Sequence, residues 1–75
     1  MPLISECAEG DTVTIARLLG TGAIKGRLLE MGFTRGETAT IVKYAPLNDP
    51  IEIRLKGFHV SLRVSEAQRI EVAPA

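Results

Sequence analysis

The fold is organised around one stretch, Gly22-Ala-Ile-Lys-Gly-Arg-Leu-Leu-Glu-Met-Gly-Phe-Thr-Arg-Gly36. Ile24, Leu28 and Met31 recur at helical spacing, which places them on one face of a helix. Gly32 follows the last periodic residue, where a left-handed C-cap favours a residue without a Cβ atom. The stretch therefore predicts one short helix, and since the segments around it have strand periodicity, that helix must pack on a small sheet.

Two further positions affect the predicted apolar face and stability of this helix. Leu29 is predicted to widen the apolar face. Gly26 lies in the helix interior, where glycine costs about 1 kcal/mol relative to alanine. Either Gly26 marks a weak turn in a marginal helix, or a backbone or a partner approaches closely there.

The segments outside the helix alternate apolar and polar residues with a period of two, which is typical of half-buried strands. The predicted strands are residues 12–19, 37–44, 51–56, 59–64 and 70–72. A turn is predicted at Gly57-Phe58, a single helical turn at residues 65–68, and a frayed tail at residues 73–75. Because open edges are a liability in so small a sheet, we expect closure. The predicted fold is a mainly β, SH3-like barrel of about five short strands with one helix inserted after the first, forming a single domain over residues 1–75.

Composition limits the classes of function. The chain has 75 residues, nine basic and nine acidic, with a formal net charge of zero and one cysteine. Neutral balance argues against nucleic-acid binding, which draws most of its affinity from phosphate contacts. One cysteine excludes an intrachain disulfide and favours a reducing compartment. With no signal-peptide pattern and no long apolar run, we expect a cytoplasmic protein that meets a membrane only through a partner.

The residue types needed for catalysis or metal binding are sparse. Cys7 lies where an apolar residue would suit the local pattern, and it is interpreted as a small core residue rather than a reactive thiol. His59 is the only histidine and lies on the polar face of a strand, with Glu52 placed across the predicted hairpin. A zinc or iron site needs three or four converging ligands, which these residues do not supply. We predict no catalytic, cofactor-binding or metal site in one chain, and a metal site shared between two copies stays open.

Interaction surfaces are the remaining candidates. The polar face of the helix is either merely solvated or a contact surface. The loop 45–50 is either a rigid, partly apolar docking tip, which would lose little entropy on binding, or a hairpin corner with Leu47 folded back on the core. The candidate partner-binding residues are Lys25, Arg27, Glu30, Tyr44, Pro46, Leu47 and Pro50.

Two signatures in this order point to a family. They are Arg27-Leu-Leu-Glu-Met-Gly-Phe33 and Ala45-Pro-Leu-Asn-Asp-Pro50, and matching residues extend over essentially the whole chain. The chain resembles the ferrous iron transport protein A (FeoA) family. The resemblance implies an SH3-like barrel with an inserted helix and a small cytosolic accessory of ferrous iron uptake that is not an enzyme. The implied partner is the membrane permease ferrous iron transport protein B (FeoB), engaged on its cytoplasmic GTP-binding domain.

Two alternatives come from other classes of protein. The same barrel resembles the C-terminal domain of metal-dependent transcriptional regulators, although this chain is too short to carry their DNA-binding helices. A small RNA- or ribosome-binding barrel is the second, and the zero net charge argues against it. For the chain itself we expect a monomer or a weak homodimer.

Overall fold

The computed structural model describes residues 2–75, which form five strands and two helices after a short 3-10 turn. The 3-10 turn spans Ile4–Glu6. The strands are β1 (Thr12–Leu18), β2 (Thr38–Tyr44), β3 (Ile51–Leu55), β4 (Phe58–Leu62) and β5 (Ile70–Pro74), and the helices are α1 (Ala23–Met31) and α2 (Val64–Ala67). The predicted strand number and the helix after the first strand are confirmed.

All neighbouring strands are antiparallel, in the order β4-β3-β2-β1-β5. Within residues 2–75, β4 and β5 are therefore the two edge strands. The sequence predicted that the sheet closes into a barrel, but β4 and β5 do not pair with each other. The short helix α2 connects these two edge strands instead. Closure of the hydrogen-bond ladder is thus the one respect in which the barrel prediction is wrong.

Apolar residues at alternate strand positions form the core. In β1, β2 and β3 the buried positions are those that the period of two predicts, Val13 and Ile15, Ala39 and Ile41, then Ile51, Ile53 and Leu55. The opposite positions are half-buried or exposed. Burial of aliphatic surface at about 25 cal/mol per Å² is the main force holding these strands together.

Helix α1 packs less completely than its apolar spacing predicted. Leu28 is its one fully buried residue, while Ile24 and Leu29 are 41% and 43% exposed. Gly32 ends the helix with φ of 108°, and its N–H donates to the Leu28 and Leu29 carbonyls, which confirms the predicted left-handed cap. The chain then turns so that Phe33 is fully buried. The helix is anchored at its C-terminal end and leaves an apolar flank in solvent.

The C-terminal third differs from the sequence prediction in three places. The β3–β4 turn is Lys56-Gly57, both with positive φ, and Phe58 already belongs to β4. Val64 begins α2 instead of ending a strand. Residues 73 and 74 are not frayed, because they pair with β1 as the end of β5.

Candidate functional site

The polar face of α1 carries three of the candidate residues, and one of them is already bound within the chain. Lys25 and Glu30 are exposed. Arg27 Nη1 lies 3.2 Å from Glu66 Oε2. Arg27 therefore holds α1 to α2, and only part of its guanidinium is free to meet a partner.

Glu66 is the buried charged residue of the described chain, with 6% exposure, and sequence reasoning missed its role. Its Oε1 accepts the backbone N–H of Arg63 at 3.0 Å, while its Oε2 faces Arg27. The first contact is the reciprocal half of a capping box, in which a glutamate three residues into a helix satisfies the N-cap amide. No signal in the sequence pointed to this contact, because a capping box is recognised by a small polar residue at the N-cap, and that position here is Arg63.

The same short helix also holds the loop 45–50. Asp49 Oδ1 accepts the Val64 N–H at 3.0 Å and lies 3.8 Å from Arg63 Nη1. Contacts therefore run from α1 through Glu66 and α2 to Asp49. The structure links the two regions that the sequence singled out, although they are far apart along the chain.

The loop is a compact turn with an apolar tip. The Asn48 N–H donates to the Ala45 carbonyl at 2.7 Å, and the Ala45 N–H donates to the Pro50 carbonyl at 3.0 Å. Asn48 has φ of 64°, a left-handed conformation that asparagine tolerates. Leu47 is 90% exposed, so the alternative in which it folds back on the core is wrong. Pro46 is exposed beside it, and Pro50 is half-buried.

Tyr44, a candidate partner-binding residue, makes contacts within the chain that stabilise the fold. It is half-buried against the core, and its hydroxyl donates a hydrogen bond to the Cys7 carbonyl. Its backbone N–H donates to Glu9 Oε2 at 2.9 Å. Both contacts fasten the N-terminal segment to the end of β2.

An apolar groove between β1 and α1 was not predicted. It has a volume of about 390 Å³ and is lined by Leu18, Leu29 and Phe33, together with charged residues that include Lys25 and Arg35. Of the candidate residues, Lys25 alone lines it. The half-exposed Leu29 that lines the groove is the residue expected to widen the buried face of the helix.

Residues with metal-binding or nucleophilic chemistry lie apart from one another. Among residues 2–75, no group of three or more His, Cys, Asp or Glu side chains is placed to hold a metal ion. Cys7 is half-buried and packs against the core, as interpreted from the sequence. Burial, together with the carboxylates of Asp11 and Glu6, raises the pKa of its thiol, which lowers the thiolate fraction.

Glu52 lies across the hairpin from His59, as expected, but diagonally, since the strand register sets Arg54 opposite His59 and Ser61 opposite Glu52. His59 Nδ1 lies 2.8 Å from Glu52 Oε1, and Lys43 Nζ lies 3.9 Å from Glu52 Oε2. The hydrogen bond from His59, and then the nearby Lys43 charge, hold the pKa of Glu52 below its usual value. All three side chains lie on the outer face of the sheet, where the Glu52 carboxylate contacts both the His59 imidazole and the Lys43 ammonium group.

None of the helices within residues 2–75 has the length and apolar character needed to cross a membrane.

Comparison with known proteins places the chain in a family. The model of the FeoA domain matches residues 1–74. A protein of Porphyromonas gingivalis (strain ATCC BAA-308 / W83), described as a fusion of Fe(2+) transport protein A with the Fe(2+) transporter FeoB, is 46% identical over 69 residues. The match covers 92% of this chain and 8% of that protein.

Solved structures agree in fold. The solution structure of iron(II) transport protein A from Clostridium thermocellum superposes with a TM-score of 0.93 at 37% identity, over 97% of this chain and 45% of that chain. The zinc complex of Stenotrophomonas maltophilia FeoA, described as an SH3 domain protein, gives a TM-score of 0.86 at 27% identity, over 97% of this chain and 91% of that one. The SH3-like fold is thereby confirmed, and the chain belongs to the FeoA domain family.

Proposed function

We propose that this chain is an accessory domain of ferrous iron transport that acts by binding the permease FeoB. The observation that carries the proposal is the P. gingivalis relative, in which an FeoA sequence 46% identical to this chain is fused to the transporter. Fusion holds two modules at a high effective concentration, which is useful when they work in contact. This chain spans only a small part of that relative, so contact between separate proteins is the point to be tested.

The proposed contact surface comprises the exposed flank of α1 and the loop 45–50. The two regions are held in a fixed relation by Arg27, Glu66 and Asp49 through α2, so a partner that meets both finds them already positioned. Pre-organisation of this kind lowers the entropy lost on binding. The proposed docking site on the permease is its cytoplasmic GTP-binding domain.

Leu47 is the proposed apolar anchor of this surface. Because its side chain is 90% exposed in the free chain, its burial in a partner would contribute about 1.5–3 kcal/mol. Lys25, which lines the apolar groove, is the proposed charged contact, since it has no salt bridge within residues 2–75.

The experiment measures binding of the isolated chain to the permease's GTP-binding domain by calorimetry, in the nucleotide-free, GDP and GTP-analogue states. Leu47→Asp is expected to weaken binding by about tenfold or more, and Lys25→Glu by a smaller factor that grows at low salt. Leu47→Met, which keeps the tip apolar, and Arg54→Glu, the same charge change on the outer face of β3, are the matched controls. Arg27→Glu is unsuitable as a probe, because it would place a second carboxylate against the buried Glu66.

Two results would contradict the proposal at different levels. If the folded Leu47→Asp and Lys25→Glu variants bind as tightly as the wild type, the surface is wrongly assigned. If the wild type binds in none of the nucleotide states, direct contact with this domain is wrong.

A further inference from the structure

The two edges of the sheet are protected very differently. The edge of β5 is covered by the N-terminal segment, since Leu3 bridges to Glu71 and the Val72 N–H donates to the Pro2 carbonyl at 2.9 Å. Strand β5 also ends in Pro74. Strand β4 pairs with β3 alone among the strands of residues 2–75.

Strand β4 also has no β-bulge, proline or lysine to prevent pairing with another strand. Edge strands are commonly protected by bulges, prolines or lysines. The β3–β4 register is regular throughout, whereas β1–β5 and β2–β3 each contain a shift, and Phe58–Leu62 contains neither proline nor lysine. The outer edge of these five residues is therefore open to pairing with another strand.

The tight turn fixes which backbone groups face outward. Lys56 and Gly57 have φ of 54° and 81°, as in a two-residue type I′ hairpin, whose closing pair is hydrogen-bonded. From that pair onward, hydrogen-bonded and non-hydrogen-bonded residue pairs alternate along the two strands, so the backbone N–H and C=O groups of Val60 point toward β3. The N–H and C=O groups of His59 and Ser61 then point away from the sheet, and both residues are exposed.

The sequence of β4, Phe58-His59-Val60-Ser61-Leu62, complements itself when a second copy runs antiparallel to it. With Val60 opposite Val60, the outward groups of His59 in each copy meet those of Ser61 in the other. This register forms about four backbone hydrogen bonds. It also sets Phe58, which is 72% exposed in the single chain, beside Leu62 of the second copy.

The neighbouring registers are less favourable. Setting His59 opposite His59 brings two titratable imidazoles together, and setting Ser61 opposite Ser61 brings His59 opposite Arg63. Like charges directly opposite each other destabilise a pair of strands. The central register sets His59 opposite the uncharged Ser61, so a protonated His59 would meet no like charge there, as it would in the other two registers.

We propose that the free edge of β4 is a self-association surface, through which two copies pair antiparallel about a two-fold axis at Val60. The occupant is a second copy of this chain, and the two sheets become continuous. An edge of five residues is smaller than a standard stable interface, so we expect a weak dimer with a Kd on the order of 10⁻⁴ M or above. The edge of β4 comprises residues other than those of α1 and the loop 45–50, so the inference goes beyond the proposed function.

The test follows backbone amide NMR shifts on dilution of the intact chain from ~1 mM to ~10 µM, together with sedimentation equilibrium. The amides of His59 and Ser61 are expected to shift with concentration along a single dimerisation curve. Ser61→Pro removes an outward N–H without breaking the β3–β4 ladder, and it is expected to weaken association by about tenfold or more. Ser61→Ala keeps the N–H and is the matched control, with association unchanged.

Four results would overturn the proposal. They are a monomer over the whole concentration range, concentration-dependent shifts confined to another surface, unchanged association of folded Ser61→Pro, and β4 shifts that appear only when the permease's GTP-binding domain is added. The last would mean that the edge receives a partner's strand. If Ser61→Pro does not fold, Phe58→Glu at an exposed position provides the same test. Loss of the dimer leaves permease binding through Leu47 intact, so the two proposals fail separately.

Discussion

Replacing Gly26 by alanine is expected to stabilise this protein by about 0.5–1 kcal/mol, because glycine in a helix interior costs about that much. Gly26 lies within α1, and its N–H donates to the Gly22 carbonyl at 3.1 Å. A Cβ atom built at Gly26 would meet no side chain and no other element within 4 Å. The gain is therefore not offset by a clash. Part of it arises because alanine restricts the unfolded chain.

The expected stabilisation converts into a measurable shift in melting temperature. An unfolding entropy of about 2.1 cal/mol/K per residue gives a rise in Tm of roughly 3–6 °C for a chain of this size. Thermal unfolding followed by circular dichroism measures it. Gly32→Ala is the matched control in the same helix, since Gly32 has φ of 108° and its added Cβ would lie 3.2 Å from Leu55 Cδ2. That variant is expected to lose about 1–2 kcal/mol.

A lower Tm for Gly26→Ala would refute this reasoning, because it would mean that the position does not tolerate a Cβ atom. The variant also separates the two interpretations of Gly26. No other part of the described chain approaches the position closely. If the stabilised variant binds the permease's GTP-binding domain more weakly than the wild type, a partner comes close at Gly26, and if binding is unchanged, Gly26 is only a weak turn.

Three further predictions concern single side chains. Glu66→Ala removes the acceptor of the capping contact and is expected to lower the free energy of unfolding by about 1–3 kcal/mol in urea titrations, and Glu66→Gln by less; equal losses would contradict the capping role. Tyr44→Phe leaves the Cys7 carbonyl without its donor and is expected to cost about 1 kcal/mol, whereas wild-type stability would contradict a structural role for the hydroxyl. His59→Ala is expected to raise the pKa of Glu52 toward its ordinary value in an NMR titration. Because the pKa of Glu52 is lowered in the folded state, its contact with His59 stabilises the protein at pH values above the ordinary carboxyl pKa, near 4.3. That stabilisation is lost as the pH falls through the lowered pKa. A Glu52 pKa that is unchanged in His59→Ala would contradict the contact.

The candidate surface was only partly predictable. The proline positions indicated a stiff loop, but only the packed structure shows Leu47 extended into solvent. Likewise, the charge of Arg27 can be read from the sequence, but its salt bridge with Glu66 cannot be predicted, because the two residues belong to helices that are far apart in the sequence. The groove beside Leu29 could not be predicted either, since it exists only where α1 passes over β1.

The errors in the predicted β3–β4 hairpin have local causes. Alternation continues through Val64, so it carried the predicted strand beyond its true end at Leu62. The turn was placed one residue late, because a two-residue turn needs positive φ at both positions, and Lys56 adopts it beside Gly57. Lysine gives no sign of that conformation in a sequence.

The sequence by itself determined the strands of β1, β2 and β3, the end of α1 at Gly32, and the family, because periodicity, glycine placement and motifs are local properties. The tertiary structure alone decided which apolar side chains are covered. It buries Leu28 and Phe33 while leaving Leu29 half in solvent, and it covers the edge of β5 while leaving β4 bare. The physical reason is that periodicity sets the direction of a side chain, whereas burial depends on which distant segment lies across from it.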